Sequence, residues 1–318
     1  MRRREFIAGL SVAALGVSAQ AQTALPVVGF VSARSSADDA RYGGAFRLGL
    51  SETGIDGQRV TVEYHWLDGR YDRLPSLMPD LVRRHVTVIV TTGGTVALAA
   101  KAATADIPIV FGVNENPVNL GLVASIARPG GNATGINLLG QEILTKQLEL
   151  LHKLVPKAVR VAVLVNPANA ANTETTLRAV PDAARVLGLE IQVLKASSIR
   201  EIEAAFATLV RERADALFVG GDGFFGNRRL QFTILSVRHG IPVVGGDNGL
   251  LMTYATDPTY MYREAGVYTG RILKGAKAAD LPVIQSTKLE LTINLTMAKA
   301  LGIDVPSNVL ALADEVIE

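Results

Sequence analysis

Two carboxylates and a glycine pair are the residues best placed by type and spacing to do chemistry. Asp222 and Asp247 each follow a short apolar run. At such a place a carboxylate would meet a ligand ammonium, because a cation held in a closed cleft needs an anion beside it. Gly93-Gly94-Thr95 follows a third run. Its glycines let the backbone come close to a ligand. A helix starting there would turn unpaired N–H groups and partial positive charge towards a ligand carboxylate. The same triplet also reads as a tight strand-to-helix turn with Thr95 as its cap.

Other groups fall at equivalent points. Ser32, Ser35 and Ser36 follow the first apolar run, Thr92 ends the third, and Asn114, Glu115 and Asn116 follow the fourth. Asn166, Asn169 and Phe224 do the same in the second half of the chain. Asn114 and Asn166 can each donate and accept a hydrogen bond, and each also suits an ordinary Asx turn. Phe224 and Phe225 would give an apolar wall or simple packing. The candidate ligand-binding set is therefore Ser32, Ser35, Thr92, Gly94, Thr95, Asn114, Asn166, Asp222, Phe224 and Asp247.

Gly221-Asp222-Gly223-Phe224-Phe225-Gly226 matches the G-x-G-x-x-G pattern of a dinucleotide turn, with Asp247 at the distance of a ribose-binding acid. The match lies on the third strand of its half rather than opening a domain. An exported NAD(P)-dependent oxidoreductase is thus an alternative, and a periplasmic ligand sensor is another. No G-x-S-x-G elbow, H-E-x-x-H pair or phosphate loop occurs, and the four histidines are scattered. The chain reads as a non-enzyme, with no cofactor and no metal.

The elements that must position these groups come in two similar sets. Strands are expected at 27–33, 60–66, 87–92 and 107–113, with helices at 35–50, 74–84 and 96–105. The order repeats with strands at 159–165, 190–194, 216–219 and 242–244, and helices at 174–187, 199–213 and 224–239. Apolar, β-branched strands alternating with amphipathic helices make an α/β chain of two Rossmann-like lobes with parallel sheets. Ligands of such sheets sit beyond the carboxyl ends of the strands, where the candidate groups fall. Two tails remain, a strand at 251–254 with a helix at 258–274, and a strand at 288–294 with a helix at 297–301. They are too small for a third domain, so the chain is expected to cross between lobes near Leu139, Leu250 and Ile284.

Arg2, Arg3 and Arg4, the apolar run 7–17 and Ala19-Gln20-Ala21 follow the order of a signal peptide, expected to end at residue 21. Arg3-Arg4-Glu5-Phe6-Ile7 is close to the twin-arginine pattern. Removing Arg2, Arg3, Arg4 and Glu5 from 32 basic and 30 acidic residues leaves 29 of each. A neutral body offers no footprint for nucleic acid. There is no cysteine, hence no disulfide framework and no lipid-bearing thiol. A soluble periplasmic protein without a lipid anchor is expected.

Several stretches carry a resemblance. They are 69–75 (GRYDRLP), 120–135 (LGLVASIARPGGNATG), 155–167 (VPKAVRVAVLVNP), 214–220 (ADALFVG) and above all 293–318 (INLTMAKALGIDVPSNVLALADEVIE). Through them the chain resembles the tryptophan/tyrosine-type family of ABC-transporter substrate-binding proteins. The resemblance implies a type I periplasmic binding protein architecture with three interlobe crossovers. Lobe one would comprise 22–139 plus 252–284, and lobe two 140–251 plus 285–318. It also implies a monomer that closes on a small-molecule ligand, an amino acid or related organic solute, and delivers it to an ABC permease in the inner membrane.

Overall fold

A computed structural model describes residues 25–245, 249–286 and 288–318. The expected export segment and Asp247 lie outside the described residues.

Lobe one is laid down by β1 (Val27–Ser32), α1 (Asp39–Glu52), β2 (Thr61–Trp66), α2 (Leu74–Arg83), β3 (Val88–Thr92), α3 (Gly94–Ala103), β4 (Ile109–Val113) and β5 (Ala133–Asn137). The chain then enters lobe two through α4 (Gly140–Leu154), β6 (Arg160–Val165), α5 (Ala170–Leu187), β7 (Glu190–Lys195), α6 (Ile199–Glu212) and β8 (Ala216–Val219). A short α7 (Gly223–Gly226), α8 (Arg229–His239), β9 (Val243–Gly245) and β10 (Met252–Thr256) follow. α9 (Pro258–Leu273) and β11 (Ile284–Gln285) return to lobe one. β12 (Leu289–Asn294), α10 (Leu295–Ala300), α11 (Ser307–Leu310) and β13 (Glu315–Ile317) finish lobe two.

The first sheet has the order β11-β5-β4-β3-β1-β2 and every pairing in it is parallel. The second runs β13-β12-β10-β9-β8-β6-β7 and contains one antiparallel pair, β10 with β12. β3, β4 and β8 are buried along their whole length, and β1 in all but its first residue, because helices cover both faces. This is the two-lobed α/β class that the hydrophobic runs imply.

Three differences from the sequence reading bear on the site. β10 pairs with β9 and β12, so residues 252–256 belong to the second sheet. The second crossing therefore falls after Thr256 rather than at 251–252. The expected helix 224–239 is broken into α7 and α8, where glycines flank two phenylalanines buried in the lobe-two core. β5 and α4 have no counterpart among the expected elements, and α4 builds one wall of the site.

α9 is held on lobe one although its neighbours in sequence belong to lobe two. It carries Met261, Tyr262, Ala265, Tyr268 and Ile272 into the core around Phe30 and Phe46. Each large apolar side chain so buried contributes about 1.5–3 kcal/mol. The approach to α1 needs glycine. A Cβ on Gly49 would overlap the Arg263 carbonyl, and one on Gly266 would overlap that of Phe46. At the first crossing Leu139 adopts a left-handed conformation, uncommon for leucine, just ahead of α4. Its amide is held by Asn137 Oδ1 at 2.7 Å, while Asn137 Nδ2 donates to the Glu115 carbonyl at 2.8 Å.

Candidate functional site

The carboxyl ends of the two sheets face each other across a cavity of about 160 Å³. One part of its wall is polar: Thr92, Gly93, Asn114 and Glu115 from lobe one, Asn169, Asn172 and Asp222 from lobe two. Another part is apolar, with Ile143 and Leu144 from α4, Phe218 from β8 and Met261 from α9. A cavity of about 150 Å³ accommodates a benzene ring, so an aromatic or branched aliphatic group fits here.

The lobes are joined by direct hydrogen bonds around this cavity. Tyr71 donates its phenol to Asp222 Oδ2 at 2.8 Å. Thr95 Oγ1 donates to Asn169 Oδ1 at 2.8 Å and accepts from the Ala171 amide at 3.2 Å. Asn227 accepts from the Ser35 amide and donates to Asp68. Arg228 adds its guanidinium to the same rim, 3.7 Å from Asp68 and stacked 3.7 Å over the Phe224 ring. The lobes are closed on one another.

Asp222 does not present the open carboxylate that the sequence suggests. Its Oδ1 accepts from Asn166 Nδ2 and from the Phe224 and Phe225 amides at 3.0–3.2 Å. Its Oδ2 accepts from Tyr71 and from Asn169 Nδ2 at 2.8 and 2.9 Å. Five donors satisfy the group, which caps α7 and ties the lobes together. Burial, and then the adjacent Asp222 charge, hold the Tyr71 phenol well above its ordinary range, so it stays a donor. The glycine-rich match is corrected by the same contacts. The amides of Phe224 and Phe225, which a pyrophosphate would need, are already bonded to Asp222.

Glu115 is the opposite case. It follows β4, is only 3% exposed, and lines the cavity. Its Oε2 has no hydrogen-bond partner among the described residues. Burial pushes its carboxyl above the usual range, partly offset by backbone amides at 114 and 115 and by the Asn172 side chain. Gly94 makes room for it, since a Cβ there would lie 2.7 Å from Oε2 and 3.0 Å from the Ala171 Cβ. A second orphan on the wall is Thr256 Oγ1, at the end of β10.

The remaining candidates separate by role. Thr92 and Asn114 line the cavity, and Gly94 lies beside it behind Gly93. Gly93 has a positive φ of 97°, open to glycine at no steric cost, and it starts α3 against the cavity. Ser32 is fully buried beneath, accepting from Thr92 Oγ1 and the Arg34 amide. Ser35 meets the rim through its amide rather than through its hydroxyl. Thr95, expected to hold a ligand carboxylate, has its hydroxyl engaged by α5. Asn166 is an Asx turn that accepts from the Ala168 amide and from Ser197 Oγ while donating to Asp222. Phe224 is packed under Arg228 and against Gly69, off the cavity wall.

Sequence reasoning passed over Glu115 in favour of the aspartates, and it missed α4 altogether. The spacing of Ile143, Leu144, Leu148 and Leu151 is that of an amphipathic helix and was the available signal. Nothing local marks Glu115 as unpartnered. Among the described residues no group of three or more acidic or histidine side chains could hold a metal ion.

Three comparisons bear on this geometry. The model of the family described as ABC transporter substrate binding protein matches residues 25–317. A tyrosine-binding protein from Clostridioides difficile (strain R20291) is 27% identical over 272 residues, covering 84% of this chain and 77% of that protein. Among solved structures, an ABC domain from Streptococcus pneumonia in complex with L-Trp superimposes with a TM-score of 0.82 at 23% identity, covering 92% of this chain and all of the other. The ligand-free, open structure of a substrate binding protein from Clostridium difficile is also 23% identical and covers 92% of this chain and 99% of the other, with a TM-score of 0.63. At equal identity and coverage, the chain superimposes better on the liganded relative than on the open one.

Proposed function

The chain belongs to the ABC transporter substrate binding protein family, and on that premise we propose that it is the periplasmic solute-binding component of an importer. It takes a small organic solute, an amino acid or a close relative of one, between its lobes and presents the closed form to a permease in the inner membrane. The cross-cleft bonds around a partly polar, partly apolar cavity carry this reading. Closure on a solute is a hinge motion about the three crossings. The names of the tyrosine-binding relative and of the L-Trp complex support an amino acid as the class to test first. Residues 1–21 would direct export, and the mature chain would work as a monomer without catalysis or cofactor. No helix among the described residues is long and apolar enough to cross a membrane.

The test is a thermal-shift screen of the mature chain against amino acids, organic acids and NAD(P), followed by solution scattering with any solute that responds. A solute that binds only the folded state at one hundred times its Kd adds about 2.7 kcal/mol of stability. A response to amino acids or organic acids with a smaller radius of gyration is the expected result. A response to NAD(P) alone would remove the reading.

A further inference from the structure

We propose that Glu115 is the specificity-determining residue of the cleft, and that it selects a solute bearing an ammonium group. The proposal rests on the solute-binding reading and names the chemical class that the site accepts.

Two buried carboxylates line the described part of the cavity, and only one is free to receive a solute. An ionised carboxylate accepts at about four lone-pair positions. Asp222 already receives five donors, all from the protein. It has nothing left for a ligand. Glu115 is the more deeply buried of the two, and its Oε2 has no partner among the described residues. A buried carboxylate left in that state is costly, either as a desolvated charge or as an acid. A cation delivered by the solute relieves that cost once the Glu115 side chain turns towards the cavity, and among the described residues no protein cation stands beside it. Among the described residues neither Lys nor His is on the cavity wall, and the arginine there, Arg34, stacks on the Tyr42 ring 5.0 Å away. A carboxylate-only solute brings no cation and so cannot stabilise Glu115 in its ionised form. The apolar wall of Ile143, Leu144, Phe218 and Met261 takes the solute's uncharged part.

Ionisation of Glu115 gives a second readout. Among the described residues the titratable or charged groups about it are Asp222 from the turn after β8, Tyr71 from the turn after β2, and Arg34 after β1 and Tyr262 of α9 on the same wall. Burial raises the Glu115 carboxyl, so the empty closed form holds a proton to higher pH than an exposed glutamate would. An arriving ammonium favours the ionised form, and the proton leaves to the buffer.

The test is titration calorimetry on matched sets: L-tryptophan, tryptamine and indole-3-propionate, then L-leucine, isoamylamine and 4-methylpentanoate. Glu115→Gln and Glu115→Asp are compared with the parent after urea denaturation shows that each is folded. In the parent, the amine-free member of the bound set should be at least thirtyfold weaker than its amino acid. Glu115→Gln should shrink that ratio to within about fivefold, and Glu115→Asp should keep most of it. Titrations in two buffers of different ionisation enthalpy, repeated at several pH values, should show a proton release in the parent that is absent from Glu115→Gln and fades as pH rises. If the amine-free acids bind as well as the amino acids, or if Glu115→Gln keeps the ratio and the proton release, Glu115 is not the selector while solute binding stands. If neither set binds, the amino-acid reading itself fails, and the role of Glu115 falls with it.

Discussion

Two buried carboxylates sit on opposite sides of one cleft and do different work. Asp222, on the lobe-two side, receives five protein donors and binds α7, α5 and Tyr71 into one network. Glu115, on the lobe-one side, is buried more completely and has an oxygen with no partner among the described residues. The difference separates a latch from a receptor. A satisfied charge holds the protein's own parts together, whereas an unsatisfied one is stabilised when something else arrives. Burial alone would not have told the two roles apart.

The largest test of this contrast is Asp222→Ala. It strands donors from Asn166, Asn169, Tyr71 and two amides. Each donor left dry costs about 1–3 kcal/mol. With some of them rehydrated, a net loss of about 3 kcal/mol or more in urea denaturation is expected. A loss below about 1 kcal/mol would show that the network is not a latch.

Gly94→Val acts on the receptor side. Its Cβ would crowd Glu115 Oε2 and Ala171 in the closed form, without a positive φ to strain the variant. Affinity for the screened solute should fall by roughly tenfold or more, about 1.4 kcal/mol. The scattering radius should stay at the open value even with solute present. A folded Gly94→Val variant that closes normally would mean that the lobes meet differently from the geometry described here.

Tyr71→Phe removes one hydrogen bond across the cleft and leaves the ring. A net loss of about 1 kcal/mol is expected, which moves the open–closed balance of the empty protein roughly fivefold towards open. Fluorescent labels placed on either lobe would read the shift. No change would place the closing energy elsewhere, at Thr95 or Asn227.

The smallest effect is the pH dependence of Glu115. Its folded carboxyl is raised by burial, so the folded state keeps a proton that the unfolded state has lost. The resulting stability is fully present below the ordinary glutamate value and is lost as pH rises through the raised folded value. Between those limits the parent should lose stability relative to Glu115→Gln, measured by urea denaturation at several pH values. A parent that gains on its variant with rising pH would mean that Glu115 is ionised and satisfied in the empty protein.

Legibility in the sequence followed how local each feature is. β1, β3, β4 and β8 were visible as apolar runs because a strand covered on both faces must be apolar throughout. β5 was not, since Ala133-Thr134-Gly135-Ile136-Asn137 has weak strand preference and is held by pairing to β4 and β11. The placement of 252–256 needed an antiparallel partner almost forty residues later. The glycine turn at Gly93-Gly94 was legible because conformational freedom belongs to the residue type.

By itself the sequence determined the repeated α/β order, the glycine turn at the cleft and the positions of polar groups at strand ends. Each of these depends on residue type and on spacing along a few turns of chain. Only the tertiary structure decided which carboxylate was used up. The side-chain donors to Asp222 come from Tyr71, Asn166 and Asn169, all more than fifty residues away and one of them in the other lobe. Glu115 is left over because the fold brings α3 and α5 against it and, among the described residues, sets no cation beside it. Hydrogen-bond satisfaction is a property of neighbours in space, and no window of sequence contains it.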